Sequence, residues 1–542
     1  MEQEQKNQSE EIEVAVGKSA LTISICIMIS RITGFIRTWA MGFAMGTTLL
    51  SSSYQVACNL PNQLYELVMG GVLVTAFLPV YVSLKKREGE DRANAYASTL
   101  MGIVLVFLGI VSLLAGIFAP EVVFTQMFFN QSGDRELVTY FFRFFAIQLL
   151  FYGVAAVAGG ILNARREYFW SSAAPIANNL VVITVMFVYV FIAPQDPELG
   201  KLCIAIGTPL GIFIQMGMQV VALMKHGVTL KPWHINLHDP ALRETVSLGV
   251  PTIIVTVATF VTVSVQNACA MSLSDAGSSV LFYARQWFTL PYAFLSVPLT
   301  TTLFTELSDR YAANAMDEFA RGVVRGTEQN LFFMLPFMCY LMAFSVPLVT
   351  LFCAGSFTGE SVTLVANYLF VMAISLPFYA LFLFMQKVFS ALRKMTVYAL
   401  VNVGASVLQV VLTIVLSRGF GTWVGFDLEG IAAAQIAFFV FGCIWCYLYL
   451  KRKVNLDGID LPLVFSALRS LVLGVLGALA GFGVLTLLTS FVTPFEGNIL
   501  IALVYVMIAG IVALVVTYGI ALVLHLPEAS AVQRLAKRLR RS

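Results

Sequence analysis

Val104–Phe118 (VLVFLGIVSLLAGIF) and Ile501–Val523 run for fifteen residues or more without a single charge, and the chain contains many such stretches. An outer-membrane barrel would alternate polar and apolar residues over segments of about ten. These runs are continuous and read as helices long enough to cross about 30 Å of hydrocarbon. Fourteen spans are predicted, at 20–46, 53–83, 95–119, 138–162, 170–193, 202–224, 245–271, 277–305, 329–353, 363–391, 396–417, 430–450, 464–491 and 498–525. Composition agrees: 59% of the 542 residues are hydrophobic and 12% are charged, whereas soluble domains carry about 25% charged residues. The expected fold class is an all-α polytopic membrane protein.

Net charge is only +3, but its distribution is informative. The even-numbered connections hold Lys85, Lys86, Arg87 and Arg92; Arg165 and Arg166; Lys225, Lys231 and Arg243; Arg310, Arg321 and Arg325; Arg393 and Lys394; and Lys451, Arg452 and Lys453. The C-terminal run AVQRLAKRLRRS adds five more, as a topological anchor or an anionic-lipid contact. The odd connections hold Arg135, Lys201 and Arg418. Cytoplasmic connections carry the excess of Lys and Arg, so both termini are expected in the cytoplasm. The polar, acidic N-terminus lacks the basic region of a signal peptide.

Catalysis finds no support. The four histidines lie in polar connections without a nucleophile nearby, and the eight cysteines sit in or beside apolar runs rather than in metal-ligand or disulfide spacing. No nucleotide-binding loop and no nucleic-acid-binding pattern is present. No cofactor is expected, and any transport would draw on the membrane potential or an ion gradient.

An offset of 227 residues matches Ser51, Ser52, Ala57, Tyr65, Thr75 and Phe77 with Ser278, Ser279, Ala284, Tyr292, Thr302 and Phe304. It equates span 2 with span 8, as two six-helix lobes require, and such repeats are a common transporter design. The expected divisions are an N-terminal tail (1–19), an N-lobe (20–225), a C-lobe (226–453), two further spans (454–525) and a basic tail (526–542).

Six basic residues remain inside the spans. Arg143, Lys387 and Arg469 lie near span ends, where long side chains snorkel to the headgroups. Arg31 and Arg37 are deep in span 1, about 120° apart around the helix and roughly 9 Å apart along it. Each costs about 2.5–3.5 kcal/mol to insert, so an anion or a wet cavity must compensate. Glu66 is a candidate structural partner, but one carboxylate cannot neutralise two arginines. Arg285 in span 8 adds a cation from the other half. Guanidinium groups from both halves point to an anionic, phosphate-bearing substrate.

Ser30-Arg31-Ile-Thr-Gly34-Phe35-Ile-Arg37 resembles the first helix of MurJ (MviN-like) proteins, lipid II flippases of the multidrug/oligosaccharidyl-lipid/polysaccharide exporter superfamily. The similarity continues through Leu60-Pro61-Asn62, Gly70-Gly71, Ala76-Phe77-Leu78-Pro79, Ile161-Leu162-Asn163, Pro175, Asn179, Tyr283-Ala284, Leu290-Pro291 and Leu351-Phe352-Cys-Ala-Gly355-Ser-Phe357-Thr358. It covers residues 20–450 and is closest in style to the actinobacterial branch. Asn59, Tyr65 and Glu66 stand where the commoner pattern is basic, Ser52 stands at its acidic position, and Arg285-Gln286 displaces its span 8 arginine by one residue.

The resemblance implies two six-helix lobes with a cationic cavity, and spans 13–14 as a groove for a polyprenyl tail. It implies a substrate, undecaprenyl-pyrophosphoryl-MurNAc-pentapeptide-GlcNAc, moved from inner to outer leaflet by alternating access. Arg31, Arg37 and Arg285 would hold the pyrophosphate, Asn62, Glu66 and Gln286 would line the site, and Gly34, Gly70 and Gly71 would allow bending or close packing. Membrane lipids and cell-wall synthesis or division proteins are the other implied partners. The sodium site of some relatives would fall on Gln266, Asn267 and Asn402, without a carboxylate, and no metal is expected. The alternatives are a flippase for another polyprenyl-pyrophosphate-linked oligosaccharide, a multidrug antiporter, which should present acidic groups instead, and a non-transporting cell-wall scaffold.

Overall fold

A computed structural model describes residues 25–70, 77–130, 132–419, 423–454, 460–495 and 497–526. The expected N-terminal tail (1–19), all but Leu526 of the expected basic tail (526–542), and Gly71 lie outside the described residues. Apart from an isolated bridge at Trp423, the regular structure of the described residues is helical.

The first series runs α1 (25–45), α2 (Leu49–Tyr65), a π-helical stretch (Glu66–Gly70), α3 (Leu78–Glu88), α4 (Glu90–Ile117), α5 (Ala119–Phe124), α6 (Ser132–Phe145), α7 (Gln148–Ala164), α8 (Tyr168–Ile192), α9 (Pro197–Lys225) and α10 (Pro240–Leu273). The second runs α11 (Gly277–Pro291), a π-helical stretch (Tyr292–Ser296), α12 (Val297–Ala312), α13 (Met316–Ala343), α14 (Ser345–Thr350), α15 (Gly359–Ala373), α16 (Leu376–Ala391), α17 (Met395–Arg418) and α18 (Asp427–Val454). Beyond them come α19 (Asp460–Phe491) and α20 (Ile499–Val523).

These two series are one pattern written twice. The 227-residue offset carries Tyr168 at the start of α8 onto Met395 at the start of α17, and Ala164 at the end of α7 onto Ala391 at the end of α16. Bounds of α2, α4, α5 and α6 land within one residue of those of α11, α13, α14 and α15. The π stretches coincide to the same precision. Left-handed arginines punctuate equivalent turns, Arg166 at φ 65° and Arg393 at φ 55°. Even the bends recur: α6 meets α7 at 41°, and α15 meets α16 at 54°. Six identities alone were thin support; the element boundaries establish the repeat.

Eight helices are each long and apolar enough to cross a membrane, and the two bent pairs raise the number to as many as ten. The other four expected spans fall on 25–45, 49–88, 277–312 and 316–343. Two of these are broken by the π stretches, α1 carries two arginines, and α13 opens on a charged segment. The connection 309–327 is largely helical: the end of α12 and the start of α13 meet at a tight turn with Asn314 at φ 56°.

The helices sort into two compact units, Met1–Ala44 with Ser53–Phe260, and Met45–Ser52 with Val261–Ser542. The division falls within α10. Its cause is a strap, residues 226–239, that binds the start of α10 to α4. Arg92 donates two hydrogen bonds to Asp239 at 2.8 and 2.7 Å, and the Tyr96 and Thr245 hydroxyls meet at 2.6 Å. Pro232 lies on Gly102 so closely that a Cβ there would stand 2.1 Å from the Pro232 carbonyl oxygen, so only glycine fits.

The Arg92 guanidinium, and secondarily the Ala241 N–H, hold the Asp239 carboxyl below its ordinary value. A depressed carboxylate contributes stability above its unfolded pKa of about 3.9 and loses it as pH falls through the folded value. Asp239→Asn should weaken protection of strap amides by about 2 kcal/mol at pH 7. Hydrogen exchange should show the variant and wild type converging as the pH is lowered through and below 3.9.

In the second unit α19 packs against α13 and α20. Tyr340 donates to Thr517 Oγ1 at 2.5 Å, and Thr517 donates to the Leu473 carbonyl at 3.0 Å, tying the three helices together. Lipid gives no hydrophobic reward for helix contact, so close approach at small residues must supply it. Gly477 does so: a Cβ there would stand 2.0 Å from Thr517 Oγ1 and 2.7 Å from the Ala513 carbonyl oxygen. The opposite faces present Leu461, Val464, Leu479, Leu500, Met507 and Val515, all exposed, as a lipid-facing surface.

Candidate functional site

In the first unit, α1 packs on α8 along one stripe. Asn179 donates to the Ser30 carbonyl at 3.2 Å and to Thr33 Oγ1 at 3.1 Å, and it also faces Gly34. Ser30, Thr33, Gly34 and Arg37 follow the i, i+3, i+4, i+7 spacing of a single helix face. Arg37 is therefore half-buried, whereas Arg31 lies off the stripe and is exposed. At Gly34 an added methyl would meet Asn179 Nδ2 at 3.6 Å, an ordinary contact.

The Arg37 Nε is buried without a hydrogen-bond partner. Within its electrostatic reach lie the Tyr54 and Tyr152 hydroxyls and the Cys58 thiol, from α2 and α7. Tyr54 also shares a hydrogen bond of 3.1 Å with Thr208 of α9. These neutral side chains offer hydrogen-bond donors and no counter-charge. Sequence reading missed them, because an aromatic residue inside an apolar span gives the same signal as ordinary core.

Glu66 does not pair with either arginine of α1. Its carboxylate instead accepts a 3.2 Å hydrogen bond from Asn62, one turn earlier on the same helix. Glu66 opens the π stretch that Gly70 closes, so Asn62, Glu66 and Gly70 cluster where α2 changes its winding. A π turn is a common cause of a helix kink and frequently marks a functional segment.

In the second unit Arg285 is exposed on α11, and Gln286 beside it is half-buried. The Tyr368 and Tyr379 hydroxyls fall within electrostatic reach of Arg285. Under the 227-residue offset Arg285 takes the register of Cys58, the thiol beside Arg37. Each repeat thus has a guanidinium at or beside that register, one from α1 and the other from α11. Among the described residues, Arg31, Arg37 and Arg285 make no side-chain hydrogen bond or ion pair. Ser52 and Ser279, equivalent under the same offset, meet directly: the Ser279 N–H donates to Ser52 Oγ at 3.2 Å.

Of the residues the sequence marks as the sodium position, Gln266 and Asn402 are buried in the second unit and Asn402 Oδ1 has no partner. Among the described residues no three His, Cys, Asp or Glu side chains gather as metal ligands.

Comparison with known proteins gives three findings. The family model described as "Lipid II flippase MurJ" matches residues 41–521. A curated relative from Rhizobium meliloti (strain 1021), named probable lipid II flippase MurJ, is 26% identical over 368 residues, covering 67% of this chain and 68% of its own. Among solved structures, a lipid II flippase MurJ in an inward closed conformation aligns with a TM-score of 0.71 at 18% identity, over 93% of this chain and 99% of that one. An inward-facing multidrug-resistance MATE transporter of the MOP superfamily aligns with a TM-score of 0.67 at 12% identity, over 81% of this chain and 98% of its own. At those identities the structural matches speak to the fold.

Proposed function

The chain belongs to the MurJ family of lipid II flippases, and from that premise we infer that it carries lipid II across the membrane for cell-wall synthesis. The family match over 481 consecutive positions, residues 41–521, is the observation that carries the reading. The chain acts as a transporter rather than an enzyme, in the bacterial inner membrane and with both termini in the cytoplasm.

Within this reading Arg31, Arg37 and Arg285 bind the pyrophosphate. Unpaired guanidinium groups support that assignment, since an arginine left without a protein partner in an apolar protein retains its full capacity for a bidentate phosphate contact. The Tyr54 and Tyr152 hydroxyls add neutral donors beside Arg37. The π stretches of α2 and α11 give both units a place to flex during alternating access. Energy comes from the membrane potential or an ion gradient.

Expression in cells depleted of their own lipid II flippase tests the reading. Wild-type chain, confirmed in the membrane, should restore growth and lipid II exposure on the outer leaflet. Inserted protein that restores neither would move the substrate to another polyprenyl-pyrophosphate-linked glycan.

A further inference from the structure

Between the strap and α4 lies a half-open cleft of about 390 Å³, wholly within the first unit. Its wall comes from Asp91–Thr99 of α4 and Thr229–Asp239 of the strap. Its depth in the membrane follows from the sequence of α4. Leu100–Ile117 is an apolar run of eighteen residues, about 27 Å at 1.5 Å per residue, which nearly fills the hydrocarbon. The ten residues before it, EDRANAYAST, therefore lie at the headgroup level of the leaflet on the basic side.

Much of the polar lining is already engaged. Asp239 is taken by Arg92 and the Ala241 N–H. Ser98 accepts from the Lys231 N–H and donates to the Asn94 carbonyl. Thr99 donates to backbone carbonyls. What remains is a short set: the Lys231 ammonium, the Thr229 hydroxyl, the His234 ring and the Asn94 and Asn236 amide N–H groups, together with the Asp91 carboxylate. One cation with several neutral donors suits a phosphate. A lone carboxylate beside them suits an ammonium. On the strap, next in sequence to His234 and Asn236 of the lining, Trp233 is 84% exposed and Leu237 71% exposed, an aromatic and an aliphatic side chain of the kind that settles at the boundary between headgroups and acyl chains.

We propose that this cleft binds a phospholipid whose headgroup carries both a phosphate and a primary amine, of the ethanolamine type. Lys231 with Thr229 and Asn236 receives the phosphate, Asp91 accepts hydrogen bonds from the ammonium, and Trp233 and Leu237 lie against the acyl region. The site is independent of what the chain transports, because no residue of it is shared with Arg31, Arg37 or Arg285. A bound lipid would fasten the strap to its leaflet.

Native mass spectrometry of the full-length protein, released from nanodiscs of equal phosphatidylethanolamine and phosphatidylcholine, tests the proposal. Wild type should retain the ethanolamine lipid about tenfold over the choline lipid, the worth of a hydrogen bond to a charged group that a quaternary ammonium cannot make. Asp91→Asn should bring the ratio close to one. Lys231→Gln should lower retention of both lipids, and Lys231→Arg should restore it. Unaltered exchange protection of residues 228–239 in these variants verifies the strap, which uses neither side chain. Equal retention of the two lipids by wild type, or an unchanged ratio in Asp91→Asn, would overturn the proposal. So would equally strong competition by soluble glycerophosphoethanolamine, which would identify a free solute as the ligand.

Discussion

Arg37→Ala should abolish rescue of flippase-depleted cells while the protein accumulates in the membrane at wild-type levels. Both halves of that outcome follow from the environment of the side chain. Its Nε is buried and unpartnered, and a mid-membrane arginine costs about 2.5–3.5 kcal/mol to insert, so removing it relieves insertion rather than hindering it. What is lost is the capacity to bind a phosphate, and hydrogen bonds to charged groups are each worth about 1.5–3 kcal/mol. A forked pair of them corresponds to at least two orders of magnitude in transport rate. Arg37→Lys keeps the charge but not the fork and should fall between the two. Arg285→Ala should behave like Arg37→Ala, since it too is a guanidinium without a protein partner, set in the register of the Cys58 thiol that neighbours Arg37. Full growth with both alanine variants would remove the cationic site from the mechanism.

Gly477→Leu should be the most damaging single change among the late helices. The new side chain would have to pass through Thr517 Oγ1 and the Ala513 carbonyl oxygen, and α19 could keep its course only by moving off α20. The Tyr340–Thr517–Leu473 hydrogen-bond chain would part at the same time. Overpacking alone costs about 1–3 kcal/mol, and the lost hydrogen bonds add about 1 kcal/mol each. A fall of ten degrees or more in the detergent melting temperature is the expected reading. Gly483→Leu, six residues along the same helix with nothing within 4 Å of its Cβ position, should leave the melt unchanged.

The spans were legible in the sequence because hydrocarbon imposes a length and a composition that no other environment does. The Lys and Arg clusters likewise carry the expectation for the side of each connection. The repeat could be glimpsed from Ser52 and Ser279 but not established, because twelve helices keep their boundaries long after side chains have diverged. The π stretches gave no warning: one extra residue per turn changes the winding without altering the polarity of ELVMG or YAFLS. The strap was hidden for a different reason. Arg92 and Asp239 are 147 residues apart, and each looks like an ordinary solvated charge until the chain returns. At the candidate site, Arg31, Arg37 and Arg285 declared themselves through their cost in lipid. The choice of Asn62 over an arginine as the partner of Glu66 is a matter of rotation about α2 that charge alone does not specify.

The paired π stretches also carry a date. A π turn arises when a single residue is inserted into an α-helix, and such an insertion must be accommodated by every neighbour that packs downstream. Glu66–Gly70 and Tyr292–Ser296 occupy one place in two copies of one pattern. Two separate insertions at the same turn would each have had to survive alone, whereas one insertion in an ancestral half-length chain is inherited by both copies on duplication. The irregularity is then older than the full-length protein, a flaw in the original half that doubling preserved.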